Sequence, residues 1–239
     1  MGVFMKKIGI IGAMEVEIEF LLNLMGNEVK KTEAGSIVFN EGKISGTSVV
    51  VVRSGICKVN AALCAQRLIL QFGCTHIINT GIAGAMAKEL GVLDFVVSTE
   101  ALQHDVDATG FGYKLGQIPQ MSVFSFEADK SMIQAAKDAF AENELSKDHK
   151  MIEGKIATGD QFISDKKTKE RIQANFAPAC VEMEGCAIAQ ACYLNKTPFV
   201  IIRCMSDNAD DLKENEYSFN ESVAGEMSAK IVQHMIGKI

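Results

Sequence analysis

Four runs of this chain are apolar almost without interruption: KIGIIG (7–12), TSVVVVRS (47–54), THIINT (75–80) and a stretch over 198–205 built around FVIIRC. A strand with one face in water alternates apolar and polar side chains, and these runs have no polar face to offer. Each therefore reads as a strand buried on both sides, which is the habit of parallel sheets covered by helices. Segments with apolar residues at helical spacing lie between them, at 15–24 and at 59–72, the second stopped by Gly73. Further strands are predicted over 93–102 and 151–158, and further helices over 128–145, 183–194 and 221–236, with Ser164 as the cap of a helix that begins at Asp165. The polar, glycine-containing stretch 104–119 reads as a long functional loop. Strands alternating with helices predict an α/β fold, a sheet covered on both faces. With 239 residues, 48% of them hydrophobic, and no linker rich in Pro, Gly or Ser, the expectation is one domain over residues 1–239.

Composition narrows the partners. The formal net charge is −6 and the lysines are scattered, so there is no basic stripe to neutralise a phosphate backbone, which argues against nucleic acid. The seven cysteines form no CxxC pair and mostly sit in apolar stretches, as reduced core residues of a cytosolic protein do. The opening MGVFMKKIGIIGAM has too short an apolar run for a signal peptide or a membrane span, so the chain is expected to be cytoplasmic. His76, His104, His149 and His234 show no metal-ligand spacing, and no metal or cofactor is expected.

Chemistry could sit in four places. GAMEVE (12–17) sets Glu15 and Glu17 just past a strand, where a helix dipole favours acids and where a catalytic carboxylate could equally stand. Its spacing is not a dinucleotide fingerprint, and two carboxylates would repel a phosphate dianion. NTGIAG (79–84) leaves a strand through glycines that serve either a plain turn or a close backbone approach to a flat ligand. VEMEGC (181–186) puts Glu182 and Glu184 at an apparent helix start, as first-turn acids or, for Glu184, as a double acceptor for adjacent sugar hydroxyls. The end of VIIRCMSDNAD (200–210) delivers Ser206 and Asp207 to the carboxyl edge of a strand, where open α/β sheets bind ligands. Arg203, inside that strand, is expected to be buried and paired, and could orient Glu184 or a water.

Taken in order, KIGIIGAMEVE, NTGIAG, HDVD with a following FGY and Pro, ATGDQFI, VEMEG and RCMSDNAD closely resemble the 5'-methylthioadenosine/S-adenosylhomocysteine nucleosidases over nearly the whole chain. The resemblance implies a three-layer α/β/α sandwich with a central mixed sheet, of the nucleoside phosphorylase kind, working as a homodimer without metal or phosphate. It implies that Asp207 gives a proton to adenine N7 and that Glu17 activates the attacking water. It further implies that the Ile163 backbone reads the adenine edge, that Phe162 stacks on the base, that Met183 and Glu184 hold the ribose, and that Ala83 and Gly84 line the sugar and base. Met14, Ile56 and Phe219 resemble the apolar wall around the sugar and thioalkyl group, with Ser206 beside the acid. Phe111 and Pro119 resemble residues lent to the neighbouring subunit's pocket. Ile82 stands where many members carry serine and Cys57 where glycine is frequent, which bears on the 5'-side contacts.

The implied reaction is hydrolysis of a thioadenosine N-glycosidic bond in methionine salvage, with 5'-deoxyadenosine as a further substrate. Through an oxocarbenium-like state it needs a protonated Asp207 and an ionised, water-accessible Glu17. A purine nucleoside phosphorylase, a 6-amino-6-deoxyfutalosine hydrolase and a binding-only adenosine sensor are the alternatives.

Overall fold

A computed structural model describes residues 6–209 and 214–239, with side-chain surroundings for 6–209 and 220–239. The four apolar runs become β1 (Ile8–Gly12), β4 (Thr47–Arg53), β5 (His76–Ala85) and β10 (Phe199–Asp207), and every residue of β1 and β10 is buried. Around them lie β2 (Lys30–Ala34), β3 (Ile37–Ile44), β6 (Phe95–Gln103), β7 (Phe126–Glu127), β8 (Met151–Thr158) and β9 (Cys180–Glu182). The helices are α1 (Glu19–Leu24), α2 (Lys58–Leu70), α3 (Lys130–Ala141), α4 (Lys166–Phe176), α5 (Gly185–Asn195) and α6 (Glu214–Ile236).

All ten strands form one mixed sheet in the order β10-β6-β8-β9-β5-β1-β4-β3-β2, with β7 on β6. Because β10 pairs with β5 as well as with β6, the strands β5, β10, β6, β8 and β9 close on themselves. β1 runs parallel to both β4 and β5, and β10 runs parallel to β5, so the carboxyl ends of β1, β5 and β10 open on the same side. Helices α2 and α5 pack against each other in one layer, and α1, α3 and α6 pack in the other. Among the described residues no helix is long and apolar enough to cross a membrane.

Several boundaries move, each for a local reason. NTGIAG does not leave its strand: β5 runs on to Ala85, because Arg203, Cys204 and Met205 of β10 pair with Gly81, Ile82 and Ala83. The cap of α4 is Asp165, whose carboxylate accepts the Thr168 N–H, and not Ser164. Helix α5 begins at Gly185, so Glu182 ends a strand and Glu184 is the residue before the helix; neither is a first-turn acid. The predicted helix over 15–24 splits into a 3-10 turn (Glu15–Glu17) and α1. The one over 128–145 ends at Ala141, and the closing helix starts seven residues earlier than expected. Strands β2, β3, β7 and β9 were not anticipated.

Candidate active site

Arg203, in the middle of β10, is fully buried and gathers three carboxylates. Its Nη2 donates to Glu182 and to Asn79 Oδ1 (2.6 Å) and lies 3.6 Å from Glu184 Oε2. Its Nη1 donates to the Ile82 carbonyl (3.1 Å) and lies 3.9 Å from Glu17 Oε1. An unpaired guanidinium here would be intolerable in an apolar sheet, so the partners come as a set. Gly81 makes room for them, since any side chain there would run into Glu17 and Arg203.

Glu17 reaches this cluster from the 3-10 turn after β1. Its Oε2 accepts the N–H groups of Ala13 (2.6 Å) and Met14 (2.9 Å), and its Oε1 accepts that of Ile82 (3.0 Å). Burial raises its pKa, opposed by Arg203 and by those three N–H groups. The side chain is 1% exposed and lines the pocket described below, so water can meet Glu17 there and not at the open surface.

Glu184 accepts the Cys57 N–H on Oε1 (2.9 Å). Burial, then the neighbouring Glu182 charge, push its pKa up to about 8 in spite of Arg203. The double-acceptor role expected of it belongs to the ionised form. Glu182 takes up the remaining donors: besides Arg203 it accepts the N–H groups of Glu184 (3.0 Å) and Gly185 (2.7 Å) and the Thr158 hydroxyl. It is the carboxylate that caps α5.

Asp207 closes the other side. A β-bulge between Met205 and Asp207 shifts the register of β10 so that Asp207 lies opposite Gly84, and a side chain at Gly84 would come within 2.9 Å of its Oδ1. The Asp207 carboxylate, 3% exposed, accepts the Ser206 hydroxyl (2.7 Å) and the Ala209 N–H (2.7 Å).

These groups line one pocket. Of the residues expected at the site, Met14, Glu17, Ile56, Ala83, Gly84, Phe162, Met183, Glu184, Ser206 and Asp207 all line it. Ile163 lines an adjoining recess shared with Gly84, Phe162, Met183 and Asp207. Phe111, 88% exposed, and Pro119, also exposed, do not line the pocket of the chain that carries them. The side chain of Phe219 lies outside the described residues. Among the described residues no cluster of His, Cys, Asp and Glu is placed to hold a metal ion.

The model of the phosphorylase superfamily matches residues 7–237. A 5'-methylthioadenosine/S-adenosylhomocysteine nucleosidase from Shewanella frigidimarina is 45% identical over 228 residues, covering 95% of this chain and 96% of its own. The chain belongs to this nucleosidase family. Two solved family structures superpose closely. The nucleosidase from Colwellia psychrerythraea, in complex with adenine, has a TM-score of 0.92 at 41% identity, covering 98% of this chain and 95% of its own. The nucleosidase from Neisseria meningitidis, in complex with methylthio-immucillin-A, has a TM-score of 0.93 at 40% identity, covering 98% and 100%. The fold is accordingly the nucleoside phosphorylase-like one, a mixed sheet with helices on both sides.

Sequence reasoning for a nucleosidase passed over Ala13, Val181 and Glu182, which also line the pocket, as do Ile82 and Arg203. An acid ahead of a helix looks the same in sequence whether it caps the helix, pairs an arginine or binds a ligand, and Glu182 does the first two at once.

Proposed function

We propose that this nucleosidase hydrolyses the N-glycosidic bond of 5'-methylthioadenosine and S-adenosylhomocysteine, releasing adenine and the 5-thioribose derivative, as a step of methionine salvage. One observation carries the reading: two buried carboxylates, Glu17 and Asp207, line the same pocket, and the single cation described in its lining, Arg203, is already matched by three carboxylates.

Asp207 donates its proton to adenine N7, so that N9 takes the electron pair of the breaking C1'–N9 bond and the base leaves as neutral adenine. Glu17 accepts a proton from water as the water oxygen bonds to C1'. Its raised pKa suits a general base, which works best near the operating pH. The ionised Glu17 lines the same pocket, and its negative charge favours the developing ribosyl cation. Glu184 and Met183 bind the ribose, Phe162 stacks on the base while the Ile163 backbone reads its edge, and Ala83 and Gly84 face sugar and base. Met14 and Ile56 supply an apolar wall for the thioalkyl group. A phosphorylase would need a cation available for phosphate, and the committed Arg203 favours water.

The active form is proposed to be a cytoplasmic homodimer of one-domain subunits, each lending Phe111 and Pro119 to its neighbour. The exposed Val59, Leu63 and Leu194 line one surface hollow and support this, because a contiguous exposed apolar patch marks a protein contact. Asp207→Asn and Glu17→Gln should each lower adenine release by about 10²–10⁴-fold while the protein stays folded. Activity like wild type in either purified variant would overturn the assignment.

A further inference from the structure

Outside the pocket, a second charged network joins three strand-end segments. Lys58, the first residue of α2, donates through Nζ to Asp105 Oδ1 (2.7 Å) and Oδ2 (2.9 Å), just beyond the end of β6, and to Oε1 of Gln103, its last residue (3.0 Å). The backbone N–H of Lys58 donates to Asp160 Oδ1 (2.8 Å), and the backbone N–H of Asp160 donates to Asp105 Oδ2 (2.9 Å). Gln103 continues the chain of bonds to Gln190 of α5 (2.8 Å). Burial pushes the Asp105 carboxyl up, but the Lys58 ammonium and the Asp160 N–H outweigh it and hold the group below the ordinary aspartate range.

The place of this network in the fold gives it consequence. Two successive amides at the start of α2 are claimed by two different carboxylates: Cys57 N–H by Glu184 of the pocket, and Lys58 N–H by Asp160, two residues ahead of Phe162. Ile56, immediately before them, lines the pocket as well. The first residues of α2 thus stand between the ribose side and the base side of the site.

We propose that Lys58, Asp105 and Asp160 form a positioning clamp that sets the base-binding segment around Phe162 against Glu184, and so governs how tightly the adenine moiety is held. The clamp rests on the functional reading above. It touches no reacting atom, so it acts on substrate and transition state alike, and its loss appears in KM and not in kcat. Lys58→Met keeps the alkyl stem and removes the ammonium. In steady-state assays with 5'-methylthioadenosine, this variant should show KM raised about tenfold, kcat within about threefold of wild type, and inhibition by free adenine weakened by a factor similar to that in KM. Lys58→Arg, which restores a cation opposite Asp105, should recover most of the loss. Asp105→Asn should move KM in the same direction by a smaller factor, and it carries the test if Lys58→Met does not fold. Folded variants with unchanged KM and unchanged adenine inhibition would overturn the clamp, as would kcat falling as far as KM. Wild-type protein in the same assay separates the two claims, because a wild type that releases no adenine contradicts the functional reading itself.

Discussion

The molecule holds two cation-centred networks that meet at the adjacent amides of Cys57 and Lys58, and they differ in depth. Arg203 and its three carboxylates are sealed in the sheet, with side chains 1–5% exposed. Lys58 and Asp105 keep about one seventh of their side-chain surface in contact with solvent, and their second partner, Asp160, is 43% exposed. Charges sealed from water must be matched or the fold suffers, whereas charges that keep some water are partly screened when a partner is lost. The deep network therefore couples catalysis to folding, while the rim network can tune binding at a smaller cost to the structure.

The sharpest way to break this comparison is to remove each cation in turn. Arg203→Met leaves three carboxylates facing one another in the sheet and should lower unfolding stability by about 3–5 kcal/mol, together with loss of activity. Lys58→Met leaves the Asp105 carboxylate without its cation but still within reach of solvent, and should cost less, about 1–3 kcal/mol. Denaturant unfolding followed by circular dichroism reads both, and equal losses would erase the distinction.

Next in size is a pH effect from the deep network. Glu184 is raised from 4.5 to about 8 in the folded protein. Folded protein then binds a proton that unfolded chain has already released, so the stability from this group is fully present below about 4.5 and is lost as pH rises through about 8. Glu17 is raised by burial and contributes with the same sign. His76 and His104, whose pKa values burial lowers, add the opposite slope on the acid side, but they do so in wild type and variant alike. The difference in Tm between wild type and Glu184→Gln, measured from pH 5 to pH 9, isolates Glu184, with wild type losing more than the variant toward pH 9. Parallel curves would show that Glu184 titrates as it does in the unfolded chain.

A smaller effect sharpens the contact between the two networks. Cys57 stands at φ 80° and ψ 162°, a conformation that costs a residue with a side chain about 1–3 kcal/mol. It is held there while its N–H serves Glu184 and its neighbour's serves Asp160. Cys57→Gly relieves the strain but loosens the unfolded chain, so a net stabilisation of about 1 kcal/mol is expected from thermal unfolding. Destabilisation would mean that the Cys57 side chain contributes more than its backbone costs.

How far each region could be read in sequence follows from the same physics. β1, β4, β5 and β10 were legible because strands buried on both faces admit almost nothing but apolar residues, and Arg203 stood out among them as a charge that had to be paired. The hairpin of β2 and β3 was not, since KKTEA at the sheet edge is largely solvent-facing and carries no apolar pattern. Glu17, Glu184 and Asp207 were identified through motifs around strand ends, and the structure brings all three to one pocket. Asp105 and Asp160 fall inside HDVD and ATGDQFI, two of the runs that carry the resemblance, but nothing in the sequence joins them to Lys58, because the three are spread over a hundred residues.

The central claim is hydrolysis driven by water at Glu17, and adenine release from 5'-methylthioadenosine in phosphate-free buffer tests it most directly. The account predicts rapid release of adenine together with free 5-methylthioribose, at a rate that added phosphate does not change. Release that begins only when phosphate is supplied, with a sugar 1-phosphate as the second product, would contradict it.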